Sequence, residues 1–210
     1  MSRRTFTAAA VLSAFAGFVD GFGFVYLGGY FVSFMSGNTT RASVDLAGAS
    51  LVAAGTALLL IAAFVVGAMI GTSLPGGRMR GETRVLILVL VGMTAAAATS
   101  IPGWTWVTGA LLAAAMGALN TVFARGGEVT FGITYMTGAL VKFATALVAA
   151  LKGGPPWAWA RHLVLWLAIA LGAVAGAGAF SLAGATALWL PVIALAVALA
   201  IPQTRAWLHV

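Results

Sequence analysis

Two short runs gather the side chains that could hold a solute or an ion. Residues 34–41 read FMSGNTTR and residues 135–142 read YMTGALVK. An aromatic, Met, Ser or Thr, Gly, three variable positions and a cation recur in the same order at an offset of 101. Ser36, Asn38, Thr39 and Thr137 carry hydroxyl or amide groups that can donate and accept hydrogen bonds. Gly37 and Gly138 permit close backbone approach or positive φ, and Arg41 and Lys142 balance charge. Asp20 lies in Gly17-Phe18-Val19-Asp20-Gly21-Phe22-Gly23, and Asn120 is its counterpart at an offset of 100. A carboxylate deep in an apolar stretch takes a partner, a cavity or a proton. The expected chemistry is binding and translocation at Asp20, Ser36, Gly37, Asn38, Thr39, Arg41, Asn120, Thr137, Gly138 and Lys142.

Two readings of Asp20 stand side by side. It takes up and releases a proton (or binds a cation) during transport, or it pairs with an Arg or Lys and only orients helices. Arg41 and Asp45 are i,i+4 neighbours on a helix, and with Asp20 and Lys142 they sum to zero charge, as one internal network would. Ser36, Asn38 or Thr39 would cap a helix running towards Ala47. Its free N–H groups would then face a polar break in Met-Ser-Gly-Asn-Thr-Thr and favour an anionic group. The first copy, with Asn38-Thr39-Thr40 where the second has Ala139-Leu140-Val141, is expected to supply most polar contacts.

Enzyme chemistry finds little here. The chain has no cysteine and two isolated histidines, His162 and His209, so neither thiolate chemistry nor a metal site is expected, nor any cofactor. The loop PGGRMRGETR around Gly76-Gly77 lacks the G-K-[ST] core and preceding strand of a phosphate loop. The net charge of +7 sits in short connections, where it sets membrane topology rather than binding nucleic acid.

The elements that must position these residues are apolar. The chain is 62% hydrophobic and 7% charged, and windows of about 20 residues nearly free of charge recur, long enough for a hydrocarbon core of roughly 30 Å. They are Phe6–Gly28, Ser50–Leu74, Val85–Ile101, Trp104–Ala124, Trp157–Phe180 and Ser181–Ile201. Residues 1–210 therefore read as a single membrane domain, all-α and polytopic. Ser2-Arg3-Arg4-Thr5-Phe6 resembles a twin-arginine signal, but its apolar stretch before Ala14-Phe15-Ala16 is short, and the segment reads as a retained first helix.

An internal duplication organises the spans. Besides the M-[ST]-G echo, Ala16–Asp20 aligns with Met116–Asn120, and Gly67-x-x-x-Gly71 aligns with Gly172-x-x-x-Gly176 at an offset of 105. Repeat 1 covers about 5–101 and repeat 2 about 104–202. If the M-[ST]-G segments cross, there are eight spans, and Arg78, Arg80, Arg84 and Arg125 fall outside. If they enter and return, there are six spans, and those four join Arg3, Arg4, Lys152, Arg161 and Arg205 inside. The positive-inside rule favours the second count. Three crossings per half invert the second half, an architecture of secondary transporters with a midplane site at broken helices. The GxxxG faces read as helix contacts, within the chain or in a homo-oligomer.

The run FVDGFGFVYLGGYFVSFMSGNTTRASVDLA, through Val19-Asp20, Phe31 and Met35-Ser36-Gly37-Asn38, resembles the YoaK family of bacterial inner-membrane proteins. The resemblance implies a six-span inner-membrane protein and a candidate small-molecule transporter, with no substrate attached. The resulting expectation is a secondary transporter in a bacterial cytoplasmic membrane, both termini cytoplasmic, for a small polar or weakly amphipathic solute. Protons would couple through Asp20. A passive channel and a non-transporting scaffold or partner subunit remain open.

Overall fold

The computed structural model describes residues 3–74, 81–101, 103–125, 128–129, 134 and 136–201. The basic loop with Gly76, Gly77, Arg78 and Arg80 lies outside the described residues, as do Tyr135, Arg205 and His209.

Long apolar runs without Pro fold as helices because in lipid the backbone must bond to itself. They are α1 (Arg3–Tyr26), α3 (Leu51–Ser73), α4 (Gly81–Ser100) and α7 (Ala160–Ala183). Each is long and apolar enough to cross a membrane. The helices α2 (Met35–Ala47), α5 (Thr105–Leu119), α6 (Met136–Leu151) and α8 (Trp189–Ala200) are shorter. Gly184, at φ 57°, ends α7, and a 3₁₀ turn over Gly184–Leu188 leads into α8. After α5 the chain forms a two-residue hairpin, β1 (Ala124–Arg125) with β2 (Glu128–Val129), pairing Ala124 with Val129 and Arg125 with Glu128.

Side-chain size sets the packing. A Cβ added to Gly17 or Gly21 of α1 would run into the carbonyl oxygens of Ile169 or Ala173 on α7. Gly172 and Gly176 of α7 face the carbonyls of Ala14 and Phe18 in the same way. The partner numbers rise together, so α1 and α7 run parallel. A second pair, α3 and α5, repeats the pattern: Gly117 against Phe64, Gly67 against Ala114, Gly71 against Ala118 and Thr121. Three of these α1–α7 contacts, Gly17–Ile169, Gly172–Ala14 and Gly176–Phe18, map onto α5–α3 contacts by the sequence offsets of 100 and 105. The GxxxG faces are thus filled within one chain, and a homo-oligomer would need another surface.

Around these pairs the core is closed by Phe22, Leu60, Leu86, Met93, Leu112, Met116, Leu119 and Leu188, all fully buried. The opposite faces of α3 and α7 present Val52, Leu58, Val65, Met69, Leu171 and Val174 outward. Large apolar residues on an outer surface, over a core made of apolar residues, suit contact with lipid.

Candidate functional site

The first site element is a reversal of the chain after α1. Gly28 and Gly29 carry φ of 67° and 96°, which side-chain-bearing residues rarely adopt. The Gly29 N–H closes the helix end on the Phe24 carbonyl at 2.7 Å. The chain then runs back along α1 through residues 30–33 without helical or strand bonding. Its backbone is satisfied instead by side chains, as buried peptide groups require. Asp20 Oδ1 accepts the N–H groups of Val32 and Ser33, each at 2.9 Å. Asn38 is fully buried and serves both backbone groups of Phe31. Its Oδ1 accepts the Phe31 N–H at 3.0 Å, and its Nδ2 donates to the Phe31 carbonyl at 2.6 Å. Arg41 Nη1 donates to the Gly29 carbonyl at 2.6 Å, and its guanidinium lies 4.0 Å from the centre of the Tyr30 ring. Tyr30 in turn donates its hydroxyl to the Ala53 carbonyl at 3.2 Å.

These bonds set the direction of α2. Asn38 pairs with Phe31 and Arg41 with Gly29, so α2 climbs back antiparallel to the descending segment. The break therefore lies at residues 27–34, before the M-S-G run. Phe34 is the N-cap and makes no side-chain capping bond, and α2 starts at Met35. The expected capping by Ser36, Asn38 or Thr39 is corrected: Asn38 sits in the second turn and reaches back, and Thr39 bonds the Met35 carbonyl at 2.8 Å. Gly37 lets the Phe34 and Phe31 rings lie against the helix, where a Cβ would approach them to 2.6 and 2.9 Å.

The single charge network is also corrected. Arg41 and Asp45 form their i,i+4 pair, Nε to Oδ2 at 3.9 Å, but Asp20 is held by backbone amides, and Lys142 is exposed on α6. The second copy keeps one clamp. Asn120 Oδ1 accepts from Thr134, N–H at 3.4 Å and hydroxyl at 3.1 Å, and its Nδ2 donates to the Met116 carbonyl at 2.9 Å. Met136 N–H bonds the Thr134 carbonyl at 2.8 Å, as Met35 N–H bonds that of Ser33 at 3.2 Å.

The two M-[ST]-G helix starts meet at one cavity of about 490 Å³. Ser33, Phe34, Met35 and Ser36 wall it from the first copy, and Thr134, Met136 and Thr137 from the second. Phe64 and Ala68 of α3 and Asn120 and Thr121 beside α5 complete it. Of the ten sequence-derived site residues it gathers Ser36, Asn120 and Thr137. Asp20, Gly37, Asn38, Thr39, Arg41, Gly138 and Lys142 are not in its walls. Nor does the first copy supply most polar contacts: Ser33 and Ser36 face Asn120, Thr121, Thr134 and Thr137. Ser33 and Thr134 were missed, although the echo VSFMSG and ITYMTG extends through them.

A family model described as Protein of unknown function (DUF1275) matches residues 8–201. The chain is 36% identical over 204 residues to UPF0700 transmembrane protein RA0705 of Rhizobium meliloti (strain 1021), covering 94% of this chain and 87% of that protein. No solved structure matches it.

Proposed function

Because this chain belongs to the family described as Protein of unknown function (DUF1275), a description that carries no activity, we propose its function from the cavity: secondary transport of a small polar, weakly amphipathic solute. The observation that carries the reading is the meeting of equivalent residues from the two copies, Ser33 with Thr134, Met35 with Met136 and Ser36 with Thr137, around one space. Hydroxyl, amide and thioether groups there suit a solute with a few hydrogen-bonding atoms and a small apolar body. The residues behind the YoaK resemblance, Val19-Asp20, Phe31 and Met35-Ser36-Gly37-Asn38, include both clamps of the first break, which supports a role in shaping that site.

The architecture proposed with it is six crossings, by α1, α3, α4, α5, α7 and α8, in two inverted repeats of about 5–101 and 104–202. Support comes from the matched α1–α7 and α5–α3 glycine contacts and from the reversal at residues 27–34, which returns α2 to the side where α1 ends. Both termini then lie on the cytoplasmic side of a bacterial cytoplasmic membrane. Asp20 acts on the cavity only through Ser33, so its role in this reading is positional.

The test is solute flux into proteoliposomes. Thr137→Trp should fill the cavity and abolish flux, whereas Val174→Trp, on the exposed face of α7, should leave it intact. Equal flux in the two variants would overturn the cavity as the solute site, and no flux for any small solute beside a stably co-purifying partner would overturn the reading in favour of a scaffold.

A further inference from the structure

The cavity has two sides, and the helices leaving it differ in chemistry. From Ser36 the exposed line of α2 continues through Thr39, Thr40 and Ser43, at spacings of 3, 4 and 7, which is one face of a helix, before the exposed Val44 one position on. The corresponding line on α6 starts at Thr137 and continues through Leu140, Val141 and Ala144, all exposed. Lys142 lies off that line, and Thr145 comes one position past its end. Along α3 a shallow groove continues from the cavity walls Phe64 and Ala68 past Val65 and Met69, reaching Thr72 and Ser73 only at its far end. Hydroxyls therefore lead away from the cavity along α2, and hydrocarbon leads away on the other side.

Resting on the transport reading, we infer that the hydroxyl face of α2 lines a water-filled approach by which the solute passes between the cavity and the outer surface. Thr39, Thr40 and Ser43 bond the carbonyls of Met35, Ser36 and Thr39 at 2.8, 3.1 and 2.9 Å. Each hydroxyl donates its one proton inward and keeps acceptor lone pairs facing out. A row of outward acceptors, renewed at each turn, replaces the solute's lost water contacts as it moves towards Ser36. The α6 line offers no such replacement, so the hydroxyl-lined approach to the cavity lies on the α2 side.

Cysteine-free background makes the test direct. Single substitutions Thr39→Cys, Thr40→Cys and Ser43→Cys, and the matched Leu140→Cys, Val141→Cys and Ala144→Cys, are probed in sealed vesicles. One probe is a membrane-impermeant thiol reagent applied from each side, and the other is a lipid-soluble maleimide. The expected result is impermeant labelling of the α2 set from outside only, with the α6 set labelled by the lipid-soluble reagent alone. The companion variant, Thr39→Val with Thr40→Val and Ser43→Ala, should slow impermeant labelling at Ser36→Cys by roughly tenfold, since desolvation is no longer offset. Lipid-soluble labelling only, on both sets, would overturn the inference, and so would shielding of α2 by a second copy seen as Cys–Cys crosslinks between chains. Labelling needs no transport: absence of flux with the expected labelling pattern would remove the transport reading and leave the aqueous approach.

Discussion

Ser33 is tied to Asp20 by its backbone N–H at 2.9 Å, and Thr134 is tied to Asn120 at the matching place in the second copy. Ser33 and Thr134 both wall the cavity, while Asp20 stands behind it. The carboxylate thus fixes where a cavity residue sits without itself lining the cavity.

Asp20→Asn keeps an acceptor for Val32 and Ser33 and should change stability by about 1 kcal/mol or less. Asp20→Ala strands both amides and should lower it by about 3 kcal/mol. Thermal unfolding in detergent reads this order. Where flux is measurable, a purely positional Asp20 predicts that Asp20→Asn leaves the shape of its pH profile unchanged. A flattened profile with unaltered stability would assign Asp20 to coupling instead.

Asn38 answers both backbone groups of Phe31, so Asn38→Ala should destabilise by about 2 kcal/mol. Thr39→Ala, one position along but exposed, should stay within about 0.5 kcal/mol of the parent. The same unfolding assay applies, and equal effects would mean the reversal is held by something other than Asn38.

The glycine contacts separate two kinds of site. Gly67→Ala and Gly172→Ala would each push a methyl into a neighbouring helix's backbone, at a cost of about 1–3 kcal/mol. Gly55→Ala and Gly178→Ala meet nothing within 4 Å and should be neutral or stabilise by up to about 1 kcal/mol. Similar shifts in the unfolding temperature across all four would contradict the close approach of α1 to α7 and α3 to α5.

Helix content and helix contacts were legible in the sequence because they follow from composition and from glycine spacing. Gly67-x-x-x-Gly71 and Gly172-x-x-x-Gly176 marked close approach correctly. The break was read a few residues late. Ser36, Asn38 and Thr39 have the side chains of helix caps, yet the stronger breaker was Gly28-Gly29, whose positive φ values end α1. Once the chain turns there, Asn38 falls beside Phe31, a pairing between residues seven apart that helical periodicity does not describe. Arg41 is likewise drawn to Tyr30 and Gly29 rather than to Asp20, a choice set by the path of the return segment. The cavity depends on two segments distant in the chain, and only the M-[ST]-G echo hinted that they would meet.

The claim that the two helix starts enter from opposite faces and share one cavity is tested most directly by two single substitutions, Ser36→Cys and Thr137→Cys. Each is labelled with an impermeant thiol reagent in right-side-out and inverted vesicles. The expected result is Ser36→Cys reacting from outside and Thr137→Cys from inside, with both lost when Asn120→Trp fills the space between them. Reaction of both from the same side would contradict the account.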